Sequence, residues 1–90
     1  MADDTKYGII VIGGEEVASV KKIVEKMKNQ PNGIRFDEGA KVLEHHGYVQ
    51  VRSKGSHRQF RHENGDLTTI PYGNPIDKFY IKDILERIGE

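Results

Sequence analysis

The chain has 90 residues, 36% of them hydrophobic and 31% charged, with 14 Lys/Arg balanced by 14 Asp/Glu and no cysteine. That length holds one modest core and excludes two, and the composition is that of a folded domain rather than a disordered segment. Without cysteine there is no disulfide framework or thiolate zinc site, in keeping with a reducing cytoplasm, and the longest apolar stretch, Ile9-Ile10-Val11-Ile12, falls far short of the ~20 residues of a membrane span.

In chain order, an apolar run from Thr5 to Gly14 ends in a glycine pair. Val17, Val20, Ile23, Val24 and Met27 follow at helical spacing and predict an amphipathic helix over roughly 15–29. The cluster Asn29-Gln30-Pro31-Asn32-Gly33 stops it. Asp37 is the expected N-cap of a short second helix carrying Ala40 and Leu43 on one face, and Gly47 the left-handed residue beyond its end. Tyr48 to Arg52 alternates as a first strand, with Val49 and Val51 on one side and Tyr48, Gln50 and Arg52 on the other. His57 to Glu63 alternates as a second, with Phe60 marking the core side and His57, Gln59 and Arg61 the open side. Asn64-Gly65 predicts a tight type I′ hairpin into a third strand, Leu67 to Ile70. After the Pro71 to Pro75 loop, Asp77 caps a last helix with Ile81, Ile84, Leu85 and Ile88 in register. Ile76 and Ile81 occupy the two staple positions and Gly89 ends the helix.

The order is α-β-β-β-α, an α+β fold: a three-stranded antiparallel sheet with helices on one face, plus an extra N-terminal helix. Double-stranded-RNA-binding domains share this layout and read RNA through shape, phosphates and 2′-hydroxyls. Residues 1–36 are expected to form an N-terminal extension and 37–90 the domain proper.

The balanced total charge hides a strong asymmetry. Residues 1–38 are net −1, residues 39–62 net +4 and residues 63–90 net −3, so the positive charge gathers around Lys54-Gly55-Ser56-His57-Arg58. Such a concentration favours an anionic ligand. Cleavage of RNA by its own 2′-hydroxyl needs a base for that proton, an acid for the departing 5′-oxygen and cations on the phosphorane. Imidazole, with an ordinary pKa near ~6.5, serves either proton role. His57 is therefore the candidate catalytic residue. Arg52, Lys54, Arg58 and Arg61, with the Gly55 and Ser56 backbone, are the candidate RNA contacts. No metal or other cofactor is expected. Arg52 and Arg61 are equally readable as charges that protect sheet edges. His45-His46 reads as the solvated end of a helix rather than a metal pair, because adjacent residues do not share a helical face. Gly13-Gly14 lacks the third glycine of a dinucleotide fingerprint and the lysine of a P-loop.

From Asp37 to Glu90 the order of helix, Gly47-Tyr48, alternating strand, Gly55-Ser56-His57, Phe60 strand, Asn64-Gly65, Ile70-Pro71 and Lys82-Asp83-Ile84-Leu85 resembles the HicA toxins of toxin-antitoxin modules. The resemblance implies a cytoplasmic, ribosome-independent mRNA interferase with His57 as the catalytic histidine and RNA as substrate, inhibited by a HicB-type antitoxin protein. Many members carry a histidine soon after the proline that closes the third strand, where this chain has Tyr72. Two further readings stand beside the nuclease: a non-catalytic RNA-binding module of the same fold, and a protein docking face.

Overall fold

The computed structural model describes residues 17–90, and its first helix, α1 (residues 17–29), buries the stripe read from the sequence. Val20, Ile23, Val24 and Met27 all enter the core, while Lys21, Lys22, Glu25 and Lys28 face solvent. The apolar run Thr5 to Gly14 and its glycine pair lie outside the described residues. A 3₁₀ turn, Pro31–Gly33, follows, and Ile34 then drops fully into the core.

Helix α2 spans Phe36–His45 and starts ahead of the expected cap. Arg35 is the N-cap, and the Glu38 carboxylate accepts the Arg35 N–H at 2.9 Å, which satisfies one orphan donor from inside the helix. Phe36 is buried in the core as the first helical residue, which leaves Asp37 one position inside the helix. The helix ends at Gly47, whose φ of 91° is the left-handed geometry that stops it.

Three strands, β1 (Tyr48–Lys54), β2 (His57–His62) and β3 (Leu67–Pro71), form an antiparallel sheet in the order β1-β2-β3. Helix α3 (Lys78–Arg87) opens on Asp77, whose carboxylate accepts the Phe79 N–H at 2.8 Å. Phe60 and Ile70 project from the sheet into one cluster with Val42 and Leu43 of α2, Ile81 and Ile84 of α3, and the apolar stripe of α1. The helices thus cover one sheet face, in an α+β arrangement.

The two hairpins differ. Lys54 pairs with His57 across a two-residue turn in which Gly55 takes φ 58° and Ser56 a negative φ, the pattern of a type II′ turn. The Asn64-Gly65 turn is not type I′. Only Gly65 has positive φ, and the Gly65 N–H donates to the His62 carbonyl while the His62 N–H donates to Asp66, both at 2.9 Å. This is a three-residue loop, Glu63 to Gly65, with the glycine in the left-handed position. The extra residue lets the Asp66 carboxylate return to the sheet, where Tyr48 Oη donates to it at 2.5 Å and Arg87 at 2.6 and 2.7 Å. Arg87 also donates to Asp83, which accepts from Thr68, so turn, sheet and α3 are locked by one polar network.

Candidate nucleic-acid interface

The face of the sheet opposite the helices carries the site. Residues paired across antiparallel strands point to the same side, so the β2 register assigns the rows directly. His57 sits between Lys54 and Pro71, Gln59 between Arg52 and Thr69, and Arg61 between Val49 and Leu67. Phe60, on the opposite parity, is fully buried. His57, Arg52, Lys54 and Arg61 are all exposed.

Strict alternation along β1 would have put Arg52 with Tyr48 and Gln50, on the helix side. The structure corrects this. The register shifts between Gln50 and Arg52, leaving Val51 as an unpaired extra residue, and Arg52 swings to the side of Val49, opposite Gln59. A bulge of this kind re-aims every side chain beyond it. As a result Arg52, Lys54, His57, Gln59 and Thr69 line one concavity of about 230 Å³. Among the described residues no salt bridge occupies Arg52, Lys54 or Arg61; the paired cations, Lys26, Lys28, Arg35 and Arg87, lie elsewhere.

Arg58 does not share this surface. It pairs with Ser53 and Ile70 on the helix side, donates to the Gly55 carbonyl at 2.6 Å and lies with its guanidinium carbon 5.0 Å from the centre of the Tyr72 ring. Arg61 is on the His57 face but four residues along the strand, about 13 Å away at ~3.3 Å per residue. The turn backbone is partly engaged: the Gly55 carbonyl accepts from Arg58 and the Ser56 carbonyl from the Tyr72 N–H.

The other histidines stay apart from His57. His62 is on the helix side, 5.1 Å from Tyr48 ring to ring, with its Nδ1 accepting the Asn64 N–H at 3.0 Å. His45 and His46 lie at the end of α2, beside a separate concavity of about 450 Å³ shared with Val17, Val20 and Val24. Among the described residues no group of three or more His, Asp or Glu is placed to hold a metal, and no helix is long and apolar enough to cross a membrane.

Gln59 and Thr69 were not singled out from the sequence. Gln59 was already on the open parity of its strand; Thr69 required the β2–β3 register. A second feature that needed the structure is the set of exposed apolar side chains around Arg61 on the same face, where Val49, Val51 and Leu67 are 61%, 52% and 45% exposed.

A sequence model described as the HicA toxin of bacterial toxin-antitoxin systems matches residues 36–90. The chain belongs to the HicA family. No curated protein and no solved structure matches it. The HicA segment begins at Phe36, the first residue of α2, so α2, the sheet and α3 make up the matched part while α1 precedes it. Membership in HicA assigns the chain a toxin role in a toxin-antitoxin pair.

Proposed function

We propose that this HicA-family toxin is a metal-independent endoribonuclease that cleaves mRNA, with His57 as its catalytic residue. One observation carries the reading: the exposed imidazole shares a small concavity with Arg52 and Lys54, two cations in no salt bridge among the described residues, on the sheet face opposite the described helices. In the proposed reaction the 2′-oxygen forms a bond to phosphorus and the bond from phosphorus to the 5′-oxygen breaks. His57 takes the proton from the 2′-hydroxyl, and water supplies the proton to the 5′-oxygen. Arg52 and Lys54 offset the charge that builds on the phosphorane oxygens. One imidazole covers one of the two proton roles, which makes for slow turnover.

A HicB-type antitoxin, in this reading, inhibits by covering the His57 face. Cations next to the exposed Val49, Val51 and Leu67 suit an acidic partner surface with an apolar contact. A complex that leaves His57 solvent-accessible overturns that mode of inhibition.

A specific observation favours a second reading, a non-catalytic RNA-binding module: His57 has no second histidine on its face, since His45, His46 and His62 all lie elsewhere. Inducible expression of the wild type and His57→Ala, with growth and transcript integrity followed together, separates the two. The nuclease reading expects growth arrest and cut transcripts from the wild type alone, with RNA affinity retained by the variant. Equal effects from both proteins refute it.

A further inference from the structure

We infer that Tyr72 is a stacking platform for an unpaired RNA base beside the scissile phosphate, so that the substrate is recognised as a single strand. The inference rests on the nuclease reading of His57 and extends it to the substrate's conformation.

Tyr72 follows β3 directly, and its N–H donates to the carbonyl of Ser56, the residue before His57. Its backbone is thereby fixed at the end of the sheet where the candidate imidazole stands. The ring is held from two sides. Phe36 packs at 4.9 Å between centroids, tilted by 52°, and the Arg58 guanidinium lies 5.0 Å from the ring centre. Arg58 is itself anchored by its 2.6 Å bond to the Gly55 carbonyl. Even with these two neighbours Tyr72 remains 53% exposed. The part of Tyr72 that these neighbours leave exposed offers aromatic surface already held in place, which lowers the ordering cost of binding a base.

The chemistry favours a base in that condition. Internal attack needs the 2′-oxygen, phosphorus and the 5′-oxygen in line, a geometry that stacked A-form RNA does not supply. A nucleotide drawn out of its stack onto Tyr72 leaves its sugar-phosphate linkage free to rotate toward His57 around the edge formed by the Gly55-Ser56 turn. Arg58, on the Tyr72 side, then serves the platform, while Arg52 and Lys54 serve the phosphate.

The test uses the full chain and a fluorescein-labelled single-stranded oligoribonucleotide with 2′-O-methyl riboses, which lacks the attacking hydroxyl and stays intact. Tyr72→Leu, which keeps apolar packing on Phe36 but removes the π-face, is expected to weaken binding about 5- to 150-fold without changing its salt dependence. The chain has no tryptophan, so Tyr72→Trp introduces a single reporter whose emission is quenched by stacking when RNA is added, with affinity equal to or above the wild type. Wild-type affinity in Tyr72→Leu, or an unquenched Tyr72→Trp, overturns the inference and leaves the His57 assignment standing. If the wild type does not bind RNA at all, both fall.

Discussion

Replacing Arg52 and Lys54 with glutamine removes two of the three cations, Arg52, Lys54 and Arg61, that share the open sheet face with His57 among the described residues. Binding to single-stranded nucleic acid loses affinity with salt at a log–log slope of about −0.7 per phosphate contact, so three contacts give about −2.1 and one gives about −0.7. Raising salt from about 50 to about 200 mM then weakens the wild type about 18-fold and the double variant only about 2.6-fold. Arg61 keeps its own contact because, at about 13 Å from His57, it lies beyond the ~8 Å screening length and meets a different phosphate. Arg58→Gln is the control. Its guanidinium is committed to Gly55 and Tyr72 on the opposite side, so its slope stays near the wild-type value. Fluorescence anisotropy with the 2′-O-methyl oligoribonucleotide across a salt series measures all three. A reduced slope in Arg58→Gln together with an unchanged one in the Arg52/Lys54 variant refutes the two-sided division of the cations.

Three stability predictions follow from the fold, each read by urea or thermal unfolding. Phe60→Ala empties a fully buried site between sheet and helices and is expected to cost about 3–5 kcal/mol. At Gly47 a side chain meets both a φ of 91° and a Cβ position 2.7 Å from His62 Nε2. Gly47→Ala should therefore cost about 1–3 kcal/mol, and pairing it with His62→Ala should recover part of that loss in a double-mutant cycle; strict additivity contradicts the clash. The hydrogen bonds from Arg87 and then Tyr48 hold the Asp66 carboxyl below its ordinary value of 3.8. A depressed carboxyl contributes stability above its unfolded pKa and loses it as pH falls through the folded one. Asp66→Asn should lower stability near neutrality and flatten the decline below about pH 4, and an unchanged acid limb counts against that network.

Secondary structure was legible wherever a periodicity had a single interpretation. The i, i+3, i+4, i+7 stripe of α1 and the Asp77 cap of α3 lie where local chemistry puts them. Boundaries moved where burial outweighed local preference. Asp37 is a good cap by residue type, but Phe36 is buried in the core as the first helical residue, and Asp37 lies one position inside. Asn64-Gly65 favours a type I′ turn by residue type, yet the Asp66 contacts with Tyr48 and Arg87 accompany a longer loop.

The glycine-serine-histidine step between two alternating segments, and the cluster of positive charge around it, are properties of the chain alone: short-range order decides a two-residue turn, and charge adds along a segment however it folds. Which cations stand with His57 was decided in three dimensions. Side chains alternate only while each residue has a partner across the ladder, and the unpaired Val51 transfers Arg52 to the open face. Thr69 and Tyr72 likewise reach the site from β3 and the loop beyond it, through pairings between residues distant in the chain that no local pattern encodes.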